Sequence, residues 1–194
     1  MNETLKLGLI LLLICAISAV VLAGTNNITA AKIEEADRQT NDAARKEVFP
    51  DASSFKPLDE NKLKELISSN SEIIEIYEAY DDSDNLIGYT FKTATGGYGG
   101  DVQVITGISA SESKITGMKV VSHSETPGLG ANSTKEFFQE RFIDKPVDKE
   151  LVVVKTSPTK DNEIQALTSA TITSNAVTKG VNIAREVYET QLAK

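Results

Sequence analysis

The chain has 194 residues, a hydrophobic fraction of 40% and a formal net charge of −8, a composition that allows one globular domain with additions. The acidic balance excludes nucleic acid as a partner, because a phosphate backbone demands clustered Lys and Arg. Cys15 is the single cysteine and His123 the single histidine, which excludes an internal disulfide framework and any multi-cysteine metal or iron–sulfur site.

Residues 7–23, LGLILLLICAISAVVLA, carry no charge, and seventeen residues reach the lower limit for a membrane-spanning helix, with Leu5 able to lengthen it. The rival is a cleaved signal peptide, since Val21-Leu22-Ala23 is an acceptable small-residue cleavage site. A retained anchor is the preferred reading, and under either one the remainder of the chain is extracytoplasmic. Residues 28–48 are Ala-rich, charged and free of Gly and Pro, with a sparse apolar face, which predicts a stalk-like helix. Phe49-Pro50 stops it, because a residue before proline avoids the helical region. Residues 51–58 read as a loop and 60–68 as a short helix. The implied division is an anchor over 1–24, a helical stalk and linker over 25–60, and an extracytoplasmic domain over 61–194.

From residue 72 onward β-branched and aromatic residues predict strands at 72–81 and 86–94, joined by the acidic turn DDSDN. That turn lacks the spacing, central glycine and distal Glu of a calcium loop. Residues 101–109 place Val102, Val104 and Ile108 on one face, and 114–125 follow a polar turn, so the two predict an antiparallel hairpin. Ser133 and Glu136 form a capping box for a helix over 133–142. Residues 151–155 read as a short strand, and a final amphipathic helix runs from about Ser174 to Leu192. The fold class is α+β, with a mostly antiparallel sheet and flanking helices.

Three stretches could carry chemistry. GGYGG (96–100) surrounds Tyr98 with four glycines; it is either a flexible turn or a place where backbone approaches a ligand. HSETPGLG (123–130) contains Pro127 and Gly128, the pair a type II turn requires, and places His123 and Glu125 on one strand face. The resulting loop is a plain hairpin end, or a rigid surface of amides with Leu129 at its tip for a flat ring. QALTSATITSNAV (165–177) crowds Thr168, Ser169, Thr171, Thr173 and Ser174 ahead of the last helix. Thr171 or Thr173 then stands at the N-cap, and the helix N-terminus beyond it is a ready anion site. A threonine without an adjacent base or N-terminal amine cannot activate itself, so any covalent modification here requires a second protein. No G-x-G-x-x-G follows a strand, which argues against NADH oxidation by this chain alone.

In this order, the Gly/Tyr loop, the hairpin, SETPGLG and the Thr-rich helix start resemble the covalent FMN-binding domain family. With the anchor and stalk, the whole chain resembles the G subunit of the Rnf electron-transport complex, a relative being the C subunit of the sodium-pumping NADH:quinone reductase. In that family the segment reads roughly Asp-x-x-Ser/Thr-Gly-Ala-Thr, its last Thr esterified to the phosphate of FMN by an external flavin transferase. The match here is Gln165-Ala166-Leu167-Thr168-Ser169-Ala170-Thr171, so Thr171 inherits the attachment, with Gln165 in place of Asp and Ser169 in place of Gly. Ser169 at that position demands backbone angles that a Cβ tolerates. The resemblance implies phosphate near Thr168, Ser169, Ala170, Thr171 and Thr173. It implies an isoalloxazine ring against the loop Glu125, Thr126, Pro127, Gly128, Leu129 and Gly130, bordered by Tyr98. It also implies electron transfer among membrane subunits of an Rnf-type complex that couples ferredoxin–NAD chemistry to sodium or proton translocation. The flavin subunit of the quinone reductase shares that chemistry with other partners. A non-redox extracytoplasmic binding or bracing module is the alternative from a different class.

Overall fold

The computed structural model describes residues 2–193, and the chain divides into two compact units, one ending at Thr40 and the other beginning at Asn41. The first helix, α1 (Glu3–Val48), runs unbroken for 46 residues. Anchor and stalk are therefore one element, and Gly24 does not interrupt it. Thr25 and Thr29 donate their hydroxyls to the carbonyls of Val21 and Thr25 at 2.9 and 3.0 Å, so polar residues at the end of the apolar stretch are satisfied within the helix. One window of α1 reaches a mean hydropathy of 2.8 and is long and apolar enough to cross a membrane, which suggests anchoring.

The second unit is built on a five-stranded antiparallel meander in the order β1 (Ser54–Pro57), β2 (Ile73–Tyr80), β3 (Leu86–Gly96), β4 (Asp101–Ser109), β5 (Lys114–Ser122). Helix α2 (Glu60–Ser69) connects the first two strands and is capped by Asp59, whose carboxylate accepts from the amides of Asn61 and Lys62. The predicted hairpin is present, with Val104 opposite Val120 and Gly107 opposite Gly117. Residues expected as a loop contain β1 instead: Pro57 is tolerated there because β1 is an edge strand, where a missing N–H costs no ladder bond.

Both faces of β4 are covered. Val102, Val104 and Ile108 belong to the main core with Phe91, Phe138, Phe142 and the apolar stripe of α4 (Thr171–Val187). That stripe is Val177, Val181, Ala184 and Val187, fully or almost fully buried at helical spacing. Ile105 points to the other face, against Ala44 and Val48 at the end of α1. The paired glycines make this contact possible, since a Cβ at Gly107 would meet the Val48 carbonyl oxygen at 2.7 Å. Thr116 donates to that same carbonyl at 2.5 Å and satisfies an end group of the helix. Arg45, buried on this surface, pairs with Asp42 and Glu75 and stacks 3.7 Å from the Tyr77 ring centroid.

Three further expectations are corrected. The helix predicted over 133–142 is a 3-10 turn (Gly130–Thr134), a single helical turn α3 (Glu136–Gln139) and a second 3-10 turn (Glu140–Phe142). Ser133 lies inside the first turn with its hydroxyl buried and unpartnered, so the capping box does not form. The short strand β6 (Val152–Val154) pairs in parallel with β7 (Glu163–Gln165), which leads directly into the Thr-rich segment. Finally, α4 begins at Thr171 rather than near Ser174, and its last turn widens into a π-turn over Tyr188–Leu192.

Candidate functional site

The connection between β3 and β4 is the last four residues of GGYGG, 97–100, closed by the Gly97 amide donating to the Gly100 carbonyl at 2.8 Å. The Glu125 carboxylate, 5% exposed, lies beneath it. Its Oε1 accepts from the amides of Tyr98 and Gly99 at 2.8 and 2.9 Å, and its Oε2 accepts from the Thr173 hydroxyl at 2.5 Å. One carboxylate thus joins three stretches distant in sequence: the glycine loop, its own loop and the first turn of α4. The glycines are the condition for this. A Cβ at Gly97 would overlap Glu125 Oε1, one at Gly130 would overlap both Glu125 Oε2 and Thr173 Oγ1, and one at Gly99 would overlap the Ser124 carbonyl. Burial pushes the Glu125 carboxyl up, but the Thr173 hydroxyl and the Gly99 and Tyr98 amides outweigh it and hold it below its ordinary value.

The strand ends at Ser122, so His123 and Glu125 do not share a strand face. The Glu125 amide instead donates to His123 Nδ1 at 3.1 Å, a local turn. The predicted type II turn is present over Thr126–Leu129, with the Leu129 amide on the Thr126 carbonyl at 3.2 Å and Gly128 at φ 79°.

The five hydroxyls prove to be of two kinds. Ser174 Oγ accepts from the Leu167 amide and donates to the Ala170 carbonyl, both at 2.9 Å, and Thr173 is taken by Glu125. Thr168, Ser169 and Thr171 make no side-chain hydrogen bond among the described residues; the first two are exposed and Thr171 is half-buried. The N-cap of α4 is Ala170, with no capping side chain. Neither Thr171 nor Thr173 caps the helix, because both lie inside its first turn. That turn therefore presents backbone N–H groups and the positive end of the helix dipole uncovered.

Ser169 sits at φ 62°, in the left-handed region that glycine adopts freely. A Cβ here is held at a cost rather than accommodated without strain. Ser169→Gly relieves about 1–2 kcal/mol of that strain and returns about 0.5–1 kcal/mol through a more flexible unfolded chain. The expected outcome is a melting temperature raised by a few degrees, read by thermal unfolding.

A pocket of about 630 Å³ opens between these stretches, lined by Tyr98, Glu125, Thr126, Leu129, Gly130, Ser169, Ala170, Thr171, Ile172 and Thr173. Its volume lies in the range of small-molecule sites. Tyr98, Ile172 and Leu129 give it an apolar border, being 72%, 55% and 43% exposed. Of the residues singled out in the sequence, Thr168, Pro127 and Gly128 do not line it. Thr168 and Gly128 face a neighbouring pocket of about 390 Å³ that also contains Arg141, Phe137 and Gln165. Sequence reasoning passes over Ile172 and Arg141, and takes Gly97 and Gly99 only as part of GGYGG. For the glycines the GGYGG spacing is a signal, whereas Arg141 has none.

The FMN-binding domain family matches residues 97–186, and the RnfG N-terminal region matches residues 1–48. The G subunit of the Na(+)-translocating ferredoxin:NAD(+) oxidoreductase complex of Acetobacterium woodii is 45% identical over 95% of this chain and 91% of its own length. The G subunit of the ion-translocating oxidoreductase complex of Methanosarcina acetivorans is 33% identical over 98% and 97%. Among solved structures, the C subunit of the Na(+)-translocating NADH-quinone reductase from Parabacteroides distasonis has the same fold. Its TM-score is 0.54 at 19% identity, over 72% of this chain and 79% of that one. The antiparallel sheet, the N-terminal apolar helix, the FMN-binding region and the near full-length relatives agree: this chain belongs to the family of G subunits of ion-translocating oxidoreductase complexes.

Proposed function

We propose that this chain is a membrane-anchored electron carrier holding FMN covalently through its phosphate on Thr171, and that it passes electrons between subunits of an Rnf-type ferredoxin:NAD oxidoreductase complex. Sodium or proton translocation is the work of that complex, and the domain after the anchor lies on the extracytoplasmic side. In this reading the anchor is residues 1–24, the stalk and linker 25–60 and the domain 61–194, with β1 (Ser54–Pro57) of the linker adding a strand to the domain's sheet. The observation that carries the reading is the start of α4. An uncapped helix N-terminus and an unpartnered Thr171 hydroxyl open into a pocket of about 630 Å³ with apolar edges.

The residues fit the group. The amides of the first turn and the hydroxyl of Ser169 supply donors for a phosphate, with the helix dipole favouring its charge, while Thr168 faces the neighbouring pocket. Tyr98, Leu129 and Ile172 offer apolar surface to a flat ring, and the Glu125–Gly130 loop supplies rigid backbone beside it. Thr173 serves by bonding Glu125 rather than as a phosphate donor. Bound FMN supplies reversible electron transfer, while the protein fixes its position and electrostatics. An ester needs no enclosing cavity, so the ring edge stays accessible to partners.

Attachment requires a flavin transferase. The Thr171 Oγ–P bond forms as an activated flavin nucleotide of the pyrophosphate class loses its nucleotide leaving group. The hydroxyl proton passes to a base on the transferase, because Glu125 already accepts three hydrogen bonds. Coexpression of the full chain with a transferase should add the mass of one FMN less one water and give in-gel fluorescence. A colourless chain of unmodified mass would favour the non-redox module instead.

A further inference from the structure

Resting on the reading of Thr171 as the acceptor, we infer that Arg141 is a positioning residue for flavin attachment. It braces the start of the segment 165–171 so that the Thr171 hydroxyl is presented to the transferase. Arg141 lies in the 3-10 turn Glu140–Phe142, flanked by Phe138 and Phe142, both fully buried, so the base of the side chain is fixed by the core. Its Nη1 donates to the Gln165 carbonyl and, at 3.5 Å, to that of Ala166, while Nε donates to the Phe137 carbonyl at 3.2 Å. The guanidinium carbon lies 5.4 Å from the Phe138 ring centroid. A rigid planar fork can hold carbonyls of two different stretches at once, which a single ammonium does less well.

The segment needs such a hold. Its far end is closed by Ser174, bonded to both Leu167 and Ala170. Between the two fixed points stand Thr168 and Ser169, exposed, with Ser169 in the left-handed region. A strained, exposed turn reverts to easier backbone angles unless both ends are tied. At the near end, where the Ala166 amide also donates to the Val154 carbonyl at 2.8 Å, Arg141 holds the opposite side of the segment through its carbonyls, without any bond to Thr171 itself. Losing the brace moves the acceptor oxygen out of line with the phosphorus, and misplacements of this kind are felt in the chemical step.

The test is the steady-state kinetics of the detergent-solubilised full chain as substrate of a flavin transferase supplied with a flavin dinucleotide. Arg141→Gln and Arg141→Lys are compared with the wild type, with thermal unfolding alongside. Arg141→Gln should lower kcat about tenfold or more with KM for the chain within about twofold, Arg141→Lys falling between. Wild-type kcat in Arg141→Gln would overturn the inference. So would a deficit that vanishes at temperatures where the variant is as fully folded as the wild type, since Arg141 would then be merely structural. A rise in KM alone would also overturn it, in favour of transferase docking. If the wild type itself takes no flavin, the Thr171 reading fails and this inference with it; if the wild type is modified and the variant matches it, only the inference fails.

Discussion

Thr171→Ala, coexpressed with the transferase, should yield a folded chain without in-gel flavin fluorescence and with unmodified mass. Thr168→Ala and Ser169→Ala should keep the fluorescence. The loss in Thr171→Ala should be complete rather than partial, because an ester needs an oxygen. Of the segment's other hydroxyls, only Ser169 lines the pocket with no partner among the described residues, and it stands in the left-handed turn before the helix rather than in its first turn. Ser174 is buried and bonded twice, Thr173 is buried and bonded to Glu125, and Thr168 faces the neighbouring pocket. Folding is unaffected to within about 0.5 kcal/mol. Thr171 is half-buried, its hydroxyl has no partner among the described residues, and alanine suits the first turn of a helix. Fluorescence retained in Thr171→Ala would remove the assignment of the ester.

Glu125→Gln is the second substitution of large effect. The amide has the volume of the acid but offers one acceptor oxygen where three donors converge from two sides. Whichever way it turns, its NH2 faces either the Thr173 hydroxyl or the amides of Tyr98 and Gly99. Leaving buried donors unsatisfied costs about 1–3 kcal/mol. We expect a correspondingly lower melting temperature at neutral pH and a slower, incomplete flavinylation. The pH dependence separates this from simple loss of packing. The bonded carboxylate titrates below its ordinary value, so its contribution is complete above the unfolded glutamate range and is lost as pH falls through the lowered folded value. The variant has no such group at this place. The stability curves of the two chains should therefore converge on acidification; parallel curves down to unfolding would show that Glu125 does not carry this charge-dependent bonding.

How far the sequence can be read depends on whether the determining contacts are local. Strands β2 to β5 follow from β-branched runs between polar turns, and the Pro127-Gly128 turn from two residues whose backbone preferences leave little choice. The edge strand β1 is hidden by Pro57, and β7 by having only three residues, too few for a pattern. The start of α4 is misplaced because hydroxyls near a helix end look like caps. Here Ser174 reaches back to the Ala170 carbonyl from within the helix, and Ala170 occupies the cap. Glu125 stands out in the sequence, but with the wrong companion. His123 is its neighbour by spacing, whereas the side chain it meets is Thr173, 48 positions away. Arg141 acts on backbone carbonyls 24 and 25 positions distant, which no local pattern encodes.

The crowding of Gly97 and Gly130 around one carboxylate also bears on how this site can vary. A side chain at either position strikes the same group, from opposite oxygens. Once Gly130→Ala has displaced the carboxylate, Gly97→Ala no longer meets its nearest obstacle and keeps only its contacts with Val102 and the Gly100 carbonyl, so the double variant should lose less than the sum of the two singles. Shortening residue 125 to Ser should relieve the carboxylate clash at both positions while sacrificing the tie to α4, leaving Gly130→Ala against the Thr173 hydroxyl and Gly97→Ala against Val102 and the Gly100 carbonyl. The two glycines, 33 positions apart, are thus coupled through one acidic side chain, and substitutions at them are partly epistatic.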